Sequence, residues 1–294
     1  NIGGISVGGM VSNRKTFSNI LMPNVHHLRH THLPENLFVK GEPETGVDLA
    51  NDLERIAANI GPENIAACIV EPIAGSTGTL VPPKGYLQRL RDICDKHGIL
   101  LIFDEVITGW GRTGSPFASQ AFGVTPDIMT MAKAVTNGVV PLGAVASREN
   151  IYDTVLDASP MGAVEFFHGY TYSAIPVSMA AGLAMQNIIE KENLFQRSKD
   201  MSPYFLDGLF SLKDIDVITD IRGYGMMGGI DIHLDERPGK AGYACFKKLF
   251  EAGLSLKATG DCLIVAPPFV CETEHIDEII EKLRTGITNY MKSK

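Results

Sequence analysis

The feature that most constrains this 294-residue chain is a pair of short apolar runs, each ending on one ionisable side chain. Leu100-Leu101-Ile102-Phe103-Asp104 stops on a carboxylate, and Asp127-Ile128-Met129-Thr130-Met131-Ala132-Lys133 stops on an amine. Uninterrupted apolar runs of strand length suit a sheet buried on both faces, as parallel sheets between layers of helix are. The separation, 133 − 104 = 29 residues, fits a crossover between parallel strands and is too long for a hairpin. Asp104 and Lys133 are therefore expected at the carboxyl ends of two strands, where open α/β sheets keep their ligand crevice.

The flanking sequence extends this pattern. Ile65 to Val70 reads as a buried strand closed by Glu71-Pro72, where the proline cannot donate to a ladder. Gly85 to His97 reads as an amphipathic helix with Leu87, Leu90, Ile93 and Cys94 on one face and Gly98 as its left-handed cap. Val47 to Gly61 is a further helix. Leu142 to Ala146 is another apolar strand, and Pro176 opens a long helix. The order of strand, helix and strand with short loops predicts an α/β fold, a mostly parallel sheet with helices on both faces. Beyond Leu194 the rhythm changes to that of a smaller α+β unit. Val217 to Ile221 and Met226 to Ile232 flank Arg222-Gly223-Tyr224-Gly225, read as a turn. Leu254 to Leu256 and Cys262 to Val265 bracket Thr259-Gly260-Asp261, read as a hairpin, and Glu274 to Tyr290 is the last helix. Residues 1–190 are thus expected to form a large domain and residues 191–294 a small one.

Other features narrow the function classes. A net charge of −8 lacks the clustered Lys and Arg of a nucleic-acid footprint. No apolar run approaches the ~20 residues of a membrane span. The cysteines, Cys68, Cys94, Cys245, Cys262 and Cys271, are scattered without CxxC spacing, which predicts buried thiols in a reducing, cytoplasmic compartment. His26, His27, His30 and His32 cluster in a proline-rich loop with no acidic or thiol companion at ligand spacing, so no metal site is expected there. The stretch Glu165 to Ser173 is rich in aromatic and hydroxyl groups, which suits phosphate oxygens or a packed turn equally. Gly109-Trp110-Gly111-Arg112-Thr113-Gly114 matches the dinucleotide fingerprint letter for letter. Four residues separate it from the preceding strand, however, and Pro116 stands where a helix should already be running, so a tight turn is the preferred reading. The opening residues, from Asn1 to Met10, begin without an initiator and suggest that an N-terminal part is missing.

An acid and an amine facing one crevice admit two readings. In pyridoxal phosphate chemistry a lysine binds the aldehyde as a Schiff base and an aspartate keeps the ring nitrogen protonated. In the structural alternative Asp104 caps the next turn and Lys133 is a rim lysine. Acid-to-lysine spacings are common, so the spacing by itself favours the structural alternative.

The motifs taken together resemble one family. Gly3-Gly4-Ile5-Ser6-Val7-Gly8-Gly9, Val70-Glu71-Pro72-Ile73-Ala74-Gly75-Ser76-Thr77-Gly78, Phe103-Asp104-Glu105-Val106-Ile107-Thr108-Gly109, Gly111-Arg112-Thr113-Gly114, Ala132-Lys133 and His168-Gly169-Tyr170-Thr171-Tyr172-Ser173 occur in order along the chain. It resembles the class III aminotransferases of pyridoxal-phosphate (PLP) fold type I, and most closely their β-alanine and ω-amino acid:pyruvate branch. The resemblance implies a PLP-dependent transfer of an amino group from an ω-amino acid or amine to pyruvate by a ping-pong route. It implies that Lys133 holds the cofactor, that Asp104 pairs with the pyridine nitrogen and that Val106 packs on the ring. By the same resemblance Thr171 reaches the cofactor phosphate of a neighbouring subunit, making a homodimer or dimer of dimers the working assembly, and Glu71 lies close to the site. The family arginine that grips the substrate carboxylate is replaced here by Lys257, a point charge in place of a planar fork. Ile107 stands where other branches carry glutamine, and Ser76 where ornithine- and GABA-type enzymes carry glutamate. Ile175 replaces a histidine. The family's phosphate-cupping Gly-Ser segment and ring-stacking tyrosine lie upstream of Asn1. Two alternatives stay open: a catalytically silent fragment that keeps the fold and dimer surface, and a dinucleotide-binding oxidoreductase.

Overall fold

A computed structural model describes residues 2–162, 168–233 and 237–292. Its first sheet holds β1 (Ala67–Val70), β2 (Leu100–Asp104), β3 (Ile128–Met131) and β4 (Ala144–Ser147), in that spatial order. The first three are parallel, with Phe103 opposite Val70 on one side and Met129 on the other. The apolar runs therefore form the strands expected of them. β4 departs from the parallel pattern by running antiparallel to β3. The chain reverses at Asn137 and Gly138, both at positive φ (53° and 77°), before a crossover can form. β4 is also exposed along its length, although its sequence reads as apolar.

The helix Tyr86–His97 covers one face of this sheet. Leu90, Ile93 and Cys94 pack with Leu101 and Phe103 of β2 in one buried cluster. Gly98, at φ 68°, stops the helix, and the Ile99 N–H closes back on the Cys94 carbonyl at 2.9 Å.

The second sheet contains β5 (Ile218–Tyr224), β6 (Met227–Ile232), β7 (Lys257–Thr259) and β8 (Cys262–Val265), ordered β5-β6-β8-β7 and antiparallel throughout. Its core includes Leu209, Ile221, Ile230, Leu249, Leu263 and Leu283, contributed by the sheet and the helices Leu194–Phe210, Lys240–Glu251 and Thr273–Lys292. Two sequence expectations change here. Arg222, Gly223 and Tyr224 belong to β5 and not to a turn, because Arg222 is matched within the sheet by Asp220 and Asp231. The seventh strand begins at Lys257, past Leu254–Leu256, so the hairpin turn narrows to Gly260-Asp261. All five cysteines are free and buried. Among the described residues no helix is long and apolar enough to cross a membrane.

Candidate active site

Because β1, β2 and β3 are parallel and adjacent, the residues that leave their carboxyl ends emerge along one edge. Glu71 follows β1, Asp104 ends β2 opposite Thr130, and Lys133 comes two residues after β3. These side chains feel one another. Burial raises the Glu71 carboxyl above the ordinary range, against a Gly75 N–H donated to it at 3.1 Å, and nearby Asp104 pushes the same way. Burial lowers the Lys133 ammonium, while Asp104 and Glu71 only partly support its charge. Lys257, at the start of β7 in the second sheet, joins the cluster. It opposes the charge on Lys133 and favours that on Glu71. The Thr259 hydroxyl anchors β7 at this place by donating to the Ser76 carbonyl at 2.8 Å.

Lys133 also carries an uncommon backbone, φ 46° for a residue with a side chain. Such strain persists only where the surroundings over-determine it, and it collects at functional sites. Asp104 is better held: its Oδ1 accepts the Val106 N–H at 3.1 Å and the Thr130 hydroxyl at 3.2 Å. Val106 is thereby tied to the acid it follows. Thr171 is not brought into this cluster by any hydrogen bond among the described residues; it stands exposed in a turn that ends at Ala174, φ 56°. The Glu165-Phe166-Phe167 part of the aromatic stretch lies outside the described residues.

Several residues that hold the site escaped the sequence reading. Glu105 is fully buried and gathers the whole 105–119 turn. It accepts the Thr108 hydroxyl at 2.5 Å and the N–H groups of Ala118 and Ser119 at 3.0 and 2.8 Å. Burial raises its carboxyl, and those donors work against the rise. The only advance signal was an acidic residue inside an apolar motif.

The glycine-rich turn is a tie between the two sheets. Arg112 donates to the carbonyls of Met226 and Pro267 at 2.8 and 2.7 Å and lies 4.6 Å over the Phe269 ring. Burial lowers its guanidinium to about 10. Gly225, φ 59°, lies so close that a Cβ there would stand 2.4 Å from the Arg112 carbonyl. The helical run after this turn, Ala118–Ala121, is four residues long, which removes the helix N-terminus a dinucleotide site needs.

The fold gives one of the loop histidines acidic neighbours. Sequence spacing hid the fact that His32 meets Asp231 and Asp220, its Nε2 lying 3.6 and 3.9 Å from them. Their ligand atoms fall within 4.8 Å of one another, a spacing a metal could use. The cationic place among them is taken by Arg222, whose NH1 donates at 2.6 Å to Asp220 and 2.8 Å to Asp231.

An open α/β sheet with an amine and two acids at its strand tips is the architecture of a crevice enzyme. Comparison with known proteins carries this further. The sequence pattern of the family Aminotransferase class-III matches residues 2–287, so the chain belongs to the class III aminotransferase family. It is 51% identical over 286 residues to an omega-aminotransferase of Caulobacter vibrioides, covering 96% of this chain and 64% of that protein. It is 47% identical over 284 residues to a beta-alanine–pyruvate aminotransferase of Pseudomonas aeruginosa, covering 96% of this chain and 63% of that protein. The chain therefore spans a little under two thirds of the length of these relatives. The omega transaminase from Pseudomonas jessenii in complex with PMP superposes with a TM-score of 0.92 at 30% identity, over 99% of this chain and 66% of that one. The fold is thus the α/β class of PLP fold type I, as the motifs imply.

Proposed function

We propose that the protein transfers amino groups, with pyridoxal 5'-phosphate as cofactor, from an ω-amino acid such as β-alanine or an amine to pyruvate. The observation that carries this is Lys133: an amine on a strained turn, its charge disfavoured by burial, beside Asp104 at neighbouring strand tips. A lowered ammonium leaves more of the neutral amine, the form that attacks an aldehyde. The donor set fits the cofactor, because Asp104 keeps one oxygen, Oδ2, without a hydrogen bond among the described residues. Relatives named as omega-aminotransferase and beta-alanine–pyruvate aminotransferase support the substrate class.

When bound, pyridoxal phosphate supplies an aldehyde that takes up amino groups and a ring that accepts the electron pair of a broken C–H bond. Lys133 would hold it covalently and, as a free amine, would be the base that accepts a proton from the donor's carbon and gives it back. Asp104 would keep the ring nitrogen protonated through a charge-assisted hydrogen bond. Val106 would pack against the ring, and Glu71 would lie close to it. Lys257 meets the donor's carboxylate as a point charge. Thr171 serves the cofactor phosphate of a second subunit, so the working unit is a homodimer. The same reading keeps a domain boundary near residue 190 and a cytoplasmic setting, in keeping with five unpaired thiols.

The test is incubation with pyridoxal phosphate and borohydride, then peptide mapping, followed by alanine formation from pyruvate and β-alanine. Cofactor fixed on Lys133 together with alanine production is expected, with double-reciprocal plots that stay parallel as the second substrate is varied. A protein that takes no label on Lys133 favours the silent alternative, which keeps the fold but cannot hold cofactor, and label without alanine production overturns the transfer to pyruvate.

A further inference from the structure

We propose that Thr130 is a positioning residue for Asp104, fixing which carboxylate oxygen is left to a protonated ring nitrogen in the crevice. This rests on the cofactor reading above and adds a residue to it. Thr130 lies opposite Asp104 in the β2–β3 register. Its hydroxyl donates to Asp104 Oδ1 at 3.2 Å, and the same oxygen accepts the Val106 N–H at 3.1 Å. A threonine hydroxyl has a single hydrogen to give, and here it goes to Asp104. Oδ2 has no hydrogen bond among the described residues, so the two oxygens are unequal: one is held by the protein and one is left for another partner.

The backbone of Thr130 reinforces the grip. Its carbonyl accepts the Glu105 N–H at 3.0 Å, so one residue of β3 holds two consecutive residues at the tip of β2. A β-branched side chain in a strand has restricted χ1 freedom, which keeps the hydroxyl aimed. The Val106 N–H alone leaves the carboxylate free to pivot about one bond; two donors on Oδ1 remove that pivot. Preorganising a charged acceptor in this way is how a site avoids paying for reorientation when its partner arrives. Lys133 lies three residues further along the same strand exit, so Thr130 also sets acid and amine in a common frame.

The experiment compares wild type, Thr130→Val, which keeps the shape and loses the hydroxyl, and Thr130→Ser, which restores it. Two readouts are taken on the full chain. The first is the affinity for pyridoxal phosphate by equilibrium dialysis; the second is the side-chain carboxyl chemical shift of Asp104 without cofactor. Losing a hydrogen bond to a charged group predicts about tenfold weaker binding in Thr130→Val, with Thr130→Ser staying within about twofold of wild type. The Asp104 carboxyl signal is expected to move in Thr130→Val and to stay in Thr130→Ser. Equal affinity in all three proteins overturns the proposal, as does a Thr130→Ser protein as impaired as Thr130→Val, which marks a packing role. If wild type takes up no cofactor the functional reading fails by itself, and the chemical shift still decides whether Thr130 holds the acid: an unmoved signal in Thr130→Val overturns it.

Discussion

The two ends of the first sheet are built by opposite rules. At the amino end of β3, Asp127 is saturated. It accepts the Arg91 guanidinium at 2.8 Å and the Leu101 N–H at 2.7 Å, and Arg148 stands 3.2 Å from its other oxygen. Burial works to raise this carboxyl, yet the Leu101 N–H and Arg91 outweigh it, and the acid ends below its ordinary range. At the carboxyl end the same strands carry charges that are only partly compensated: Glu71 is raised, Lys133 is lowered, and the backbone at Lys133 is strained. Thr79 and Trp110, in the loops after β1 and β2, also take positive φ, 57° and 64°. One edge is a fastening and the other is a reagent. A fold can hold the second because the first is secure.

That contrast is open to attack by substitution, beginning with the largest effect. Asp127→Ala leaves the buried Leu101 N–H without its acceptor and takes one of two carboxylate partners from Arg91, which keeps Asp95 at 2.8 Å, so the expected loss is roughly 3 kcal/mol, the low end for breaking a buried pair from one side; denaturant unfolding measures it. Glu105→Ala strands the N–H groups of Ala118 and Ser119, for an expected loss of about 2–3 kcal/mol in the same measurement. Gly225→Ala places a methyl against the Arg112 carbonyl in a left-handed position, with an expected loss of about 1–3 kcal/mol. Lys133→Ala is expected to shift stability by no more than about 0.5 kcal/mol, or to raise it, because it removes a charge that its surroundings disfavour. A loss at Lys133 as large as that at Asp127 would erase the distinction between the edges.

The smallest effect sharpens the comparison by sign. Asp127 has a depressed carboxyl, so its contribution is fully present above the unfolded value of about 3.9 and is lost as pH falls through the folded one. Glu71 is raised, so the folded chain binds its proton more tightly and stability declines as pH rises from about 4.3 through the folded value. Asp127→Asn should therefore flatten a rise of stability with pH, and Glu71→Gln should flatten a fall. Unfolding followed across the acid range reads both slopes.

Much of this architecture was legible beforehand because its signals are local. Apolar runs closed by Asp104 and Lys133, the face of Leu87, Leu90, Ile93 and Cys94, and the Gly98 stop each depend on residues a few positions apart. The misreadings share the opposite character. Arg222-Gly223-Tyr224-Gly225 looks like a turn until Asp231, across the ladder, supplies the charge that lets an arginine sit in a buried strand. His32 meets acids 188 and 199 positions away in sequence, and Glu105 finds its donors only after the chain has folded back through the glycine-rich turn. Composition gave no hint of either, since both are pairings made by the fold.

The central claim is that the carboxyl edge leaves the Lys133 amine undercharged. Competitive acylation across a pH series, resolved by peptide mass, measures the ionisation of each lysine in one experiment. The account predicts that Lys133 titrates below the ordinary lysine value of 10.5 and is acylated ahead of the other lysines near neutral pH. A Lys133 that titrates at or above that value would contradict it.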